Sequence, residues 1–314
     1  MINPKKIIAV IGATGLQGGG VVNAILNDPD SEFTVRAITR DPDSAKAREL
    51  RKLGAEVVAA DLSDLKSLEN AFSGAYGAFL VSFFWNHTDA ETDLQHIKNM
   101  AIAAKNTDLQ HVVYSTLEDT REFYPAGDLS SDGKYRASHM DVKGEGNQFF
   151  IDLGVPTTLL LTLFYWENFL NPGTRPLRYN GIPTLAFPPM GDKMWPGIAV
   201  EDIGKSVYGL FKKGKEYIGK KVGISGGHLT GSEYAEGLSK ALGEKITFNP
   251  PTLDQFRTFD MPLIEDIANS FQFAQDFNKE FSDARSIEFT RSINPELLTF
   301  EQWAEKNKHL LVID

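Results

Sequence analysis

The 314-residue sequence contains no cysteine. That absence excludes disulfides, thiol nucleophiles and thiolate-bound metal, and it leaves a bound cofactor as the route to any redox response. Positive charge is also in deficit, with 32 Lys and Arg against 42 Asp and Glu, a net charge of −10. A net negative surface repels nucleic-acid phosphates and anionic lipid, so neither nucleic acid nor membrane is expected as a partner. No uncharged run approaches the roughly 20 apolar residues that a spanning helix needs. The opening Met1-Ile2-Asn3-Pro4-Lys5-Lys6 leads straight into an apolar run over 7–11, too short for a signal peptide and without a small-residue cleavage site. A soluble, cytoplasmic protein is the expectation. The 42% hydrophobic content is ordinary, and the length allows one large domain or two smaller ones.

What the chain does have is alternation. Strand-like segments at 7–11, 33–39, 56–60, 77–81, 111–114 and 158–163 are separated by helical patterns at 18–27, from Pro42 to Leu53, at 89–106 and at 135–153. Ser63 or Asp64 is placed to cap a further short helix. The fold predicted is α/β, a doubly wound parallel sheet (a Rossmann domain, 1–165) with a smaller, loop-rich α+β lobe (166–314) that returns some chain to the sheet. Six prolines between Asn171 and Pro196 point to extended loop there. Beyond it, helices are expected around Ile203, Val207, Leu210 and Phe211 and at 232–242, 262–277 and 300–308, with a late strand at 222–225. Phe273, Phe277 and Phe281, four residues apart, read as a buried stripe. The lobe is expected to cover the carboxyl edge of the sheet, where such sheets bind ligands.

The strongest motif is Gly12-Ala13-Thr14-Gly15-Leu16-Gln17-Gly18, which follows an apolar strand and opens an amphipathic helix. In that setting one glycine permits a tight turn, another lets backbone approach a pyrophosphate, and Gly18 allows close packing of the helix. Free N–H groups at the helix start then face the phosphates. Glycine at 18, 19 and 20 in succession weakens a helix by about 1 kcal/mol each, a cost that a purely structural turn has little use for. NAD sites usually end the second strand with an acid that holds the ribose 2′-hydroxyl. Here the strand ends Ala37-Ile38-Thr39-Arg40, and the guanidinium of Arg40 suits a 2′-phosphate, which favours NADP over NAD. Asp41 is placed to pair with Arg40 instead. Asp61 and Leu62 would flank the adenine, although Asp61 serves equally as part of a helix cap.

These motifs, with Ala37 to Pro42, Gly54-Ala55-Glu56-Val57-Val58, Gly74 to Phe79, Val112-Val113-Tyr114-Ser115, Lys143-Gly144-Glu145, Tyr165-Trp166-Glu167-Asn168 and Asn294 to Trp303, resemble the NmrA-like branch of the atypical short-chain dehydrogenases over nearly the whole chain. The resemblance implies an NADP-binding Rossmann domain with a small C-terminal lobe. It implies contacts to the dinucleotide from Gly12, Thr14, Gly15, Leu16, Gln17, Arg40, Lys143 and Tyr165. It further implies a regulator or redox sensor whose loop order or association follows cofactor occupancy, with self-association or a regulated protein as partner. One family basic position after the second strand is Ser44 here.

Short-chain dehydrogenases usually carry Tyr-x-x-x-Lys on the helix after the fifth strand, where the lysine lowers the phenol's pKa and holds the ribose. The corresponding residues are His139-Met140-Asp141-Val142-Lys143, with Ser115 at the superfamily's serine position. Two readings stay open. Either Lys143 grips the ribose and NADP is bound without turnover, or His139 donates a proton to a quinone or carbonyl while the nicotinamide supplies hydride. A half-buried histidine bonded to a neighbouring carbonyl is the plain structural alternative. Phe83-Phe84-Trp85, together with Tyr165 and Asn168, are candidates to line or close an apolar nicotinamide pocket, and aromatics at strand ends are as often core. The histidines at 87, 96, 111, 228 and 309 show no metal-ligand spacing, and no metal is expected.

Overall fold

The computed structural model describes residues 4–125, 129 and 133–313; Met1, Ile2 and Asn3 of the opening segment lie outside them. The chain forms two compact units. One comprises Met1–Asp119, His139–Leu161 and Glu201–Val222, the other Thr120–Ser138, Thr162–Val200 and Gly223–Asp314. The segment 201–222 is the return to the sheet, so the units interleave along the chain.

The first unit is built on strands β1 (Lys6–Ile11), β2 (Phe33–Thr39), β3 (Glu56–Ala59), β4 (Gly77–Val81), β5 (His111–Thr116) and β6 (Thr157–Leu161). Helices α1 (Leu16–Leu26), α2 (Ala45–Lys52), α3 (Leu65–Phe72), α4 (Ala90–Asn106), α5 (Ser138–Asp152) and α6 (Val200–Lys212) flank them. The sheet runs β3-β2-β1-β4-β5-β6, with Lys221–Gly223 as a seventh strand at the far edge. The six labelled strands pair in parallel. Every residue of β4 and β5 is buried, as expected of strands covered on both faces. Strand order reverses between β1 and β4, which leaves a crevice at their carboxyl ends.

Local chemistry sets the helix starts. α2 begins at Ala45 and not at Pro42, because residues 41–44 form a turn. Ser44 Oγ donates to the Asp41 carbonyl at 2.9 Å and accepts from the Ala47 N–H at 3.2 Å. Asp64, not Ser63, caps α3 by accepting from the N–H groups of Lys66 and Ser67. α5 starts at Ser138, three residues later than the periodicity predicts. The glycine triplet also has a packing role. A Cβ on Gly18 would run into the Gly12 carbonyl, and one on Gly204 would run into the backbone of Gly20, so α1 and α6 meet backbone to backbone. Part of the helix-weakening cost at 18–20 is therefore explained by packing within the protein, without a ligand.

In the second unit the proline-rich stretch 171–196 is mostly loop and turn, as expected, but it also carries short strands that the sequence reading did not anticipate. Leu177–Tyr179 and Ile182–Leu185 form an antiparallel hairpin, and Met194–Ile198 pairs with Gly227–Thr230. The hairpin turns on Asn180 and Gly181, both at positive φ, the two-residue turn that Asn-Gly favours. Aromatic side chains dominate the interior, where Trp166, Phe169, Tyr234, Phe300 and Trp303 are fully or almost fully buried. Phe273 and Phe281 are buried as the spacing predicts, while half-buried Phe277 sits at the break between Ile264–Asp276 and Asn278–Asp283.

Candidate functional site

A cavity of about 590 Å³ lies in the first unit, lined by the residues that follow β1, β2, β3 and β4. Gly12, Thr14, Gly15, Arg40, Asp61, Leu62 and Phe83, seven of the sequence-derived candidates, line it. Gly12 takes a φ of +66°, and a Cβ there would stand 2.7 Å from Cζ of Phe83. Only glycine lets the turn and the ring come this close. The Gly15 N–H donates to the Gly12 carbonyl at 2.8 Å, and Gly15 is the N-cap of α1. Among the described residues no side chain occupies the cap, and Gly15 itself is exposed, so the helix start is open to an anion.

The far end of the cavity carries the charge. Arg40 makes no hydrogen bond or ion pair with Asp41 or any other described residue, which leaves its guanidinium available to the cavity. Lys46, in the first turn of α2, also lines it and donates to the Thr14 carbonyl at 3.2 Å. Ser44, at the family's basic position, lines the cavity too, so Lys46 supplies a cation two residues further on. Asp61 binds Ser63 through its hydroxyl at 2.6 Å and its N–H at 2.8 Å; those bonds, with a smaller contribution from Arg40, hold its carboxyl below the usual range. It thus does both jobs considered for it, bracing the turn before α3 and lining the cavity.

Lys143 does not line this cavity. Its ammonium donates to Ser82 Oγ at 2.9 Å and to the Ser82 carbonyl at 3.3 Å. Ser82 in turn donates to Oδ2 of Asp93 at 2.7 Å, and Asp93 is completely buried. Burial pulls the Lys143 pKa down, and the nearby Asp93 carboxylate opposes that pull. One turn earlier, half-buried His139 packs against Trp85 at 4.9 Å between ring centroids and Phe84 at 6.1 Å. Ser115 lies inside β5, which extends to Thr116, and is buried opposite Val81 and Leu160.

The chain belongs to the NmrA-like family. The family's sequence model matches residues 4–305. The chain is 32% identical over 293 residues to the NmrA-like family domain-containing oxidoreductase FrzB of Cladobotryum sp, across 86% of this chain and 84% of that one. Its fold is similar to that of NmrA, a negative transcriptional regulator, in complex with NADP, with a TM-score of 0.77 at 20% identity over 97% of this chain and 95% of the other. It is also similar to the Citrobacter sp. triphenylmethane reductase complexed with NADP(H), with a TM-score of 0.73 at 20% identity over 96% and 99%.

In this NmrA-like chain the other candidates are placed as follows. Leu16, more than half exposed, and Gln17 occupy the first turn of α1, while Gly18 is buried beneath the turn. Tyr165 and Asn168 belong to the second unit. There the neighbouring Trp166 donates to the Tyr234 hydroxyl at 3.3 Å, and Glu167 accepts from the Trp303 indole at 3.1 Å and the Val200 N–H at 3.0 Å. Half of the Tyr165 to Asn168 motif is thus internal scaffolding. Sequence reasoning missed Lys46, Asn86, His87 and His96, all on the cavity wall. Lys46 was legible as the first cation after the Ser44 cap. The histidines were not, because their placement depends on how the chain leaves β4 and enters α4.

Proposed function

We propose that this chain binds NADP(H) and acts as a regulator whose state follows cofactor occupancy. The observation that carries cofactor binding is the combination of an uncapped, exposed Gly15 at the start of α1 with Arg40 and Lys46 on the same cavity wall. The glycine turn admits the pyrophosphate, and the two cations suit a 2′-phosphate. NAD remains the competitor, since NmrA has been solved with NAD as well as with NADP. When bound, a nicotinamide supplies hydride. What the protein itself adds is weaker than in a standard short-chain dehydrogenase. The tyrosine position holds His139 against an aromatic pair, and Lys143 is engaged at Ser82. Within the proline-rich stretch, 177–179, 182–185 and 194–196 are held in strands, so any cofactor-linked ordering there has to act on the turn and loop residues between them.

A second reading is favoured by the relatives. FrzB of Cladobotryum sp is named an oxidoreductase, and under this reading His139 serves as proton donor to a quinone or carbonyl. Two measurements separate the readings: NADPH absorbance with a panel of quinones and aldehydes, and limited proteolysis or association state with and without NADPH. The regulator predicts no steady oxidation and a cofactor-dependent change in the second measurement, because a ligand shifts an equilibrium only by binding one state better. Turnover that disappears in His139→Ala, with unchanged proteolysis, establishes the oxidoreductase.

A further inference from the structure

His87, Asp93 and His96 each present one ligand atom, and the three atoms lie within 4.8 Å of one another. His87 closes the short helical turn after β4, while Asp93 and His96 lie three residues apart in α4, on one helix face. Three of their atoms, Nε2 of His87, Oδ1 of Asp93 and Nδ1 of His96, are buried without a hydrogen-bond partner among the described residues. Asp93 is completely buried, and only its other oxygen is satisfied, by Ser82. Leaving so many polar atoms of one cluster unsatisfied is costly, at about 1–3 kcal/mol each, unless something else satisfies them.

We propose that these three side chains form a site for a divalent first-row transition metal of the zinc class. The separation of His87 Nε2 from Asp93 Oδ1 is 3.4 Å. That is long for a charge-assisted hydrogen bond, which runs at about 2.7–2.9 Å. It matches the edge of a coordination tetrahedron, since ligands about 2.1 Å from zinc stand roughly 3.4 Å apart. Bringing the whole cluster to that spacing takes side-chain adjustments of about 1 Å. Two imidazoles and a carboxylate favour a metal of intermediate softness over magnesium or calcium, which prefer oxygen. His87 and His96 line the cavity while Asp93 lies behind them, so a fourth position opens on the cavity side for water or a ligand oxygen. His87 Nδ1 accepts the Asp89 N–H at 3.2 Å, so its Nε2 carries the ring proton when no ion is bound. Binding moves that proton to Nδ1, keeps the ring neutral and gives up the Asp89 contact. Ser82 holds the second oxygen of Asp93, the kind of supporting hydrogen bond that fixes a carboxylate ligand.

The absence of cysteine makes the test clean, because no thiolate competes for zinc. The tag-free full chain is titrated with Zn²⁺ against a chromogenic chelator, and the Co²⁺ form is examined by visible absorption for the bands of low-coordinate cobalt. One equivalent is expected, with affinity falling a hundredfold or more in both His96→Ala and His87→Gln and the cobalt bands lost. Thermal unfolding without metal identifies a variant that fails to fold. His87, in a partly exposed turn, is the position whose replacement leaves the fold intact, and its variant then decides alone. Absence of stoichiometric binding in the natural chain, or binding of undiminished strength in a folded variant, overturns the site. Neither result bears on whether NADP(H) binds, which is read separately by dinucleotide titration.

Discussion

The ring of Phe83 closes on Gly12 so tightly that a Cβ at residue 12 would stand 2.7 Å from Cζ. This contact ties the end of β4 to the turn after β1, across the point where strand order reverses. The same contact makes the glycine turn part of the cavity wall, because both residues line it. The turn is thereby held ready for a ligand, with the residues of α1 and of the β4 exit in fixed relation.

Gly15→Val separates folding from binding at this turn. Gly15 has a φ of −93° and ψ of −173°, extended backbone that valine adopts, and a Cβ there would meet only the Gly12 carbonyl, at 3.2 Å. The variant is expected to fold and to lose dinucleotide binding, since its side chain fills the approach to the helix start. Fluorescence titration with NADPH checks this. Normal affinity would place the ligand elsewhere.

Arg40→Ala is expected to weaken NADP by ten- to a hundredfold, the effect of one charge-assisted hydrogen bond of roughly 1.5–3 kcal/mol, and to leave NAD almost unchanged. Lys46→Ala should act in the same direction, since both cations line one wall. Equal losses for the two dinucleotides would show that Arg40 supports the fold and does not select the phosphate.

Helix packing has its own test. Gly204→Ala forces a methyl into the backbone of Gly20, and overpacking of this kind costs about 1–3 kcal/mol. Gly19→Ala is the control. Its Cβ would meet only the Ala13 carbonyl at 3.3 Å, and alanine gains roughly 0.5–1 kcal/mol of helix propensity. Urea denaturation should therefore show Gly204→Ala clearly more destabilised than Gly19→Ala, whose tight contact offsets part of its propensity gain. A stable Gly204→Ala would refute the close approach of α1 and α6.

His111 predicts an acid dependence of stability. It is completely buried, and burial depresses its pKa from 6.5 to about 4. The folded value lies below the unfolded one, so the contribution is complete above pH 6.5, is lost progressively as pH falls from 6.5, and is gone near pH 4. At about 1.4 kcal/mol per pH unit the loss approaches 3 kcal/mol. Denaturation at pH 7.5 and 4.5 should show the natural chain losing about 2–3 kcal/mol more than His111→Gln. Equal losses would mean that His111 is solvated or protonated in the folded state.

Much of the first unit was legible because its signals are local. β2 and β4 fall at the predicted residues, since a run of apolar residues bounded by turn formers has few alternatives to a buried strand. The glycine turn and Arg40 were legible for the same reason: each occupies a fixed offset from a strand end. The hairpin at 177–185 was missed because proline content was weighed above the Asn180-Gly181 signal, although both central residues adopt the positive φ that this pair tolerates.

By itself, the order of residues determined the parallel sheet, the open start of α1 and the cation at the end of β2, all properties of short contiguous segments. Tertiary structure alone decided that Gly20 faces Gly204, that Lys143 reaches Asp93 through Ser82, and that His87 and His96 stand together beside the same carboxylate. The physical reason is that these relations depend on how elements pack. Helical or strand periodicity says which face a residue occupies, but the residue that meets it is set by strand order and by the path of the chain between elements.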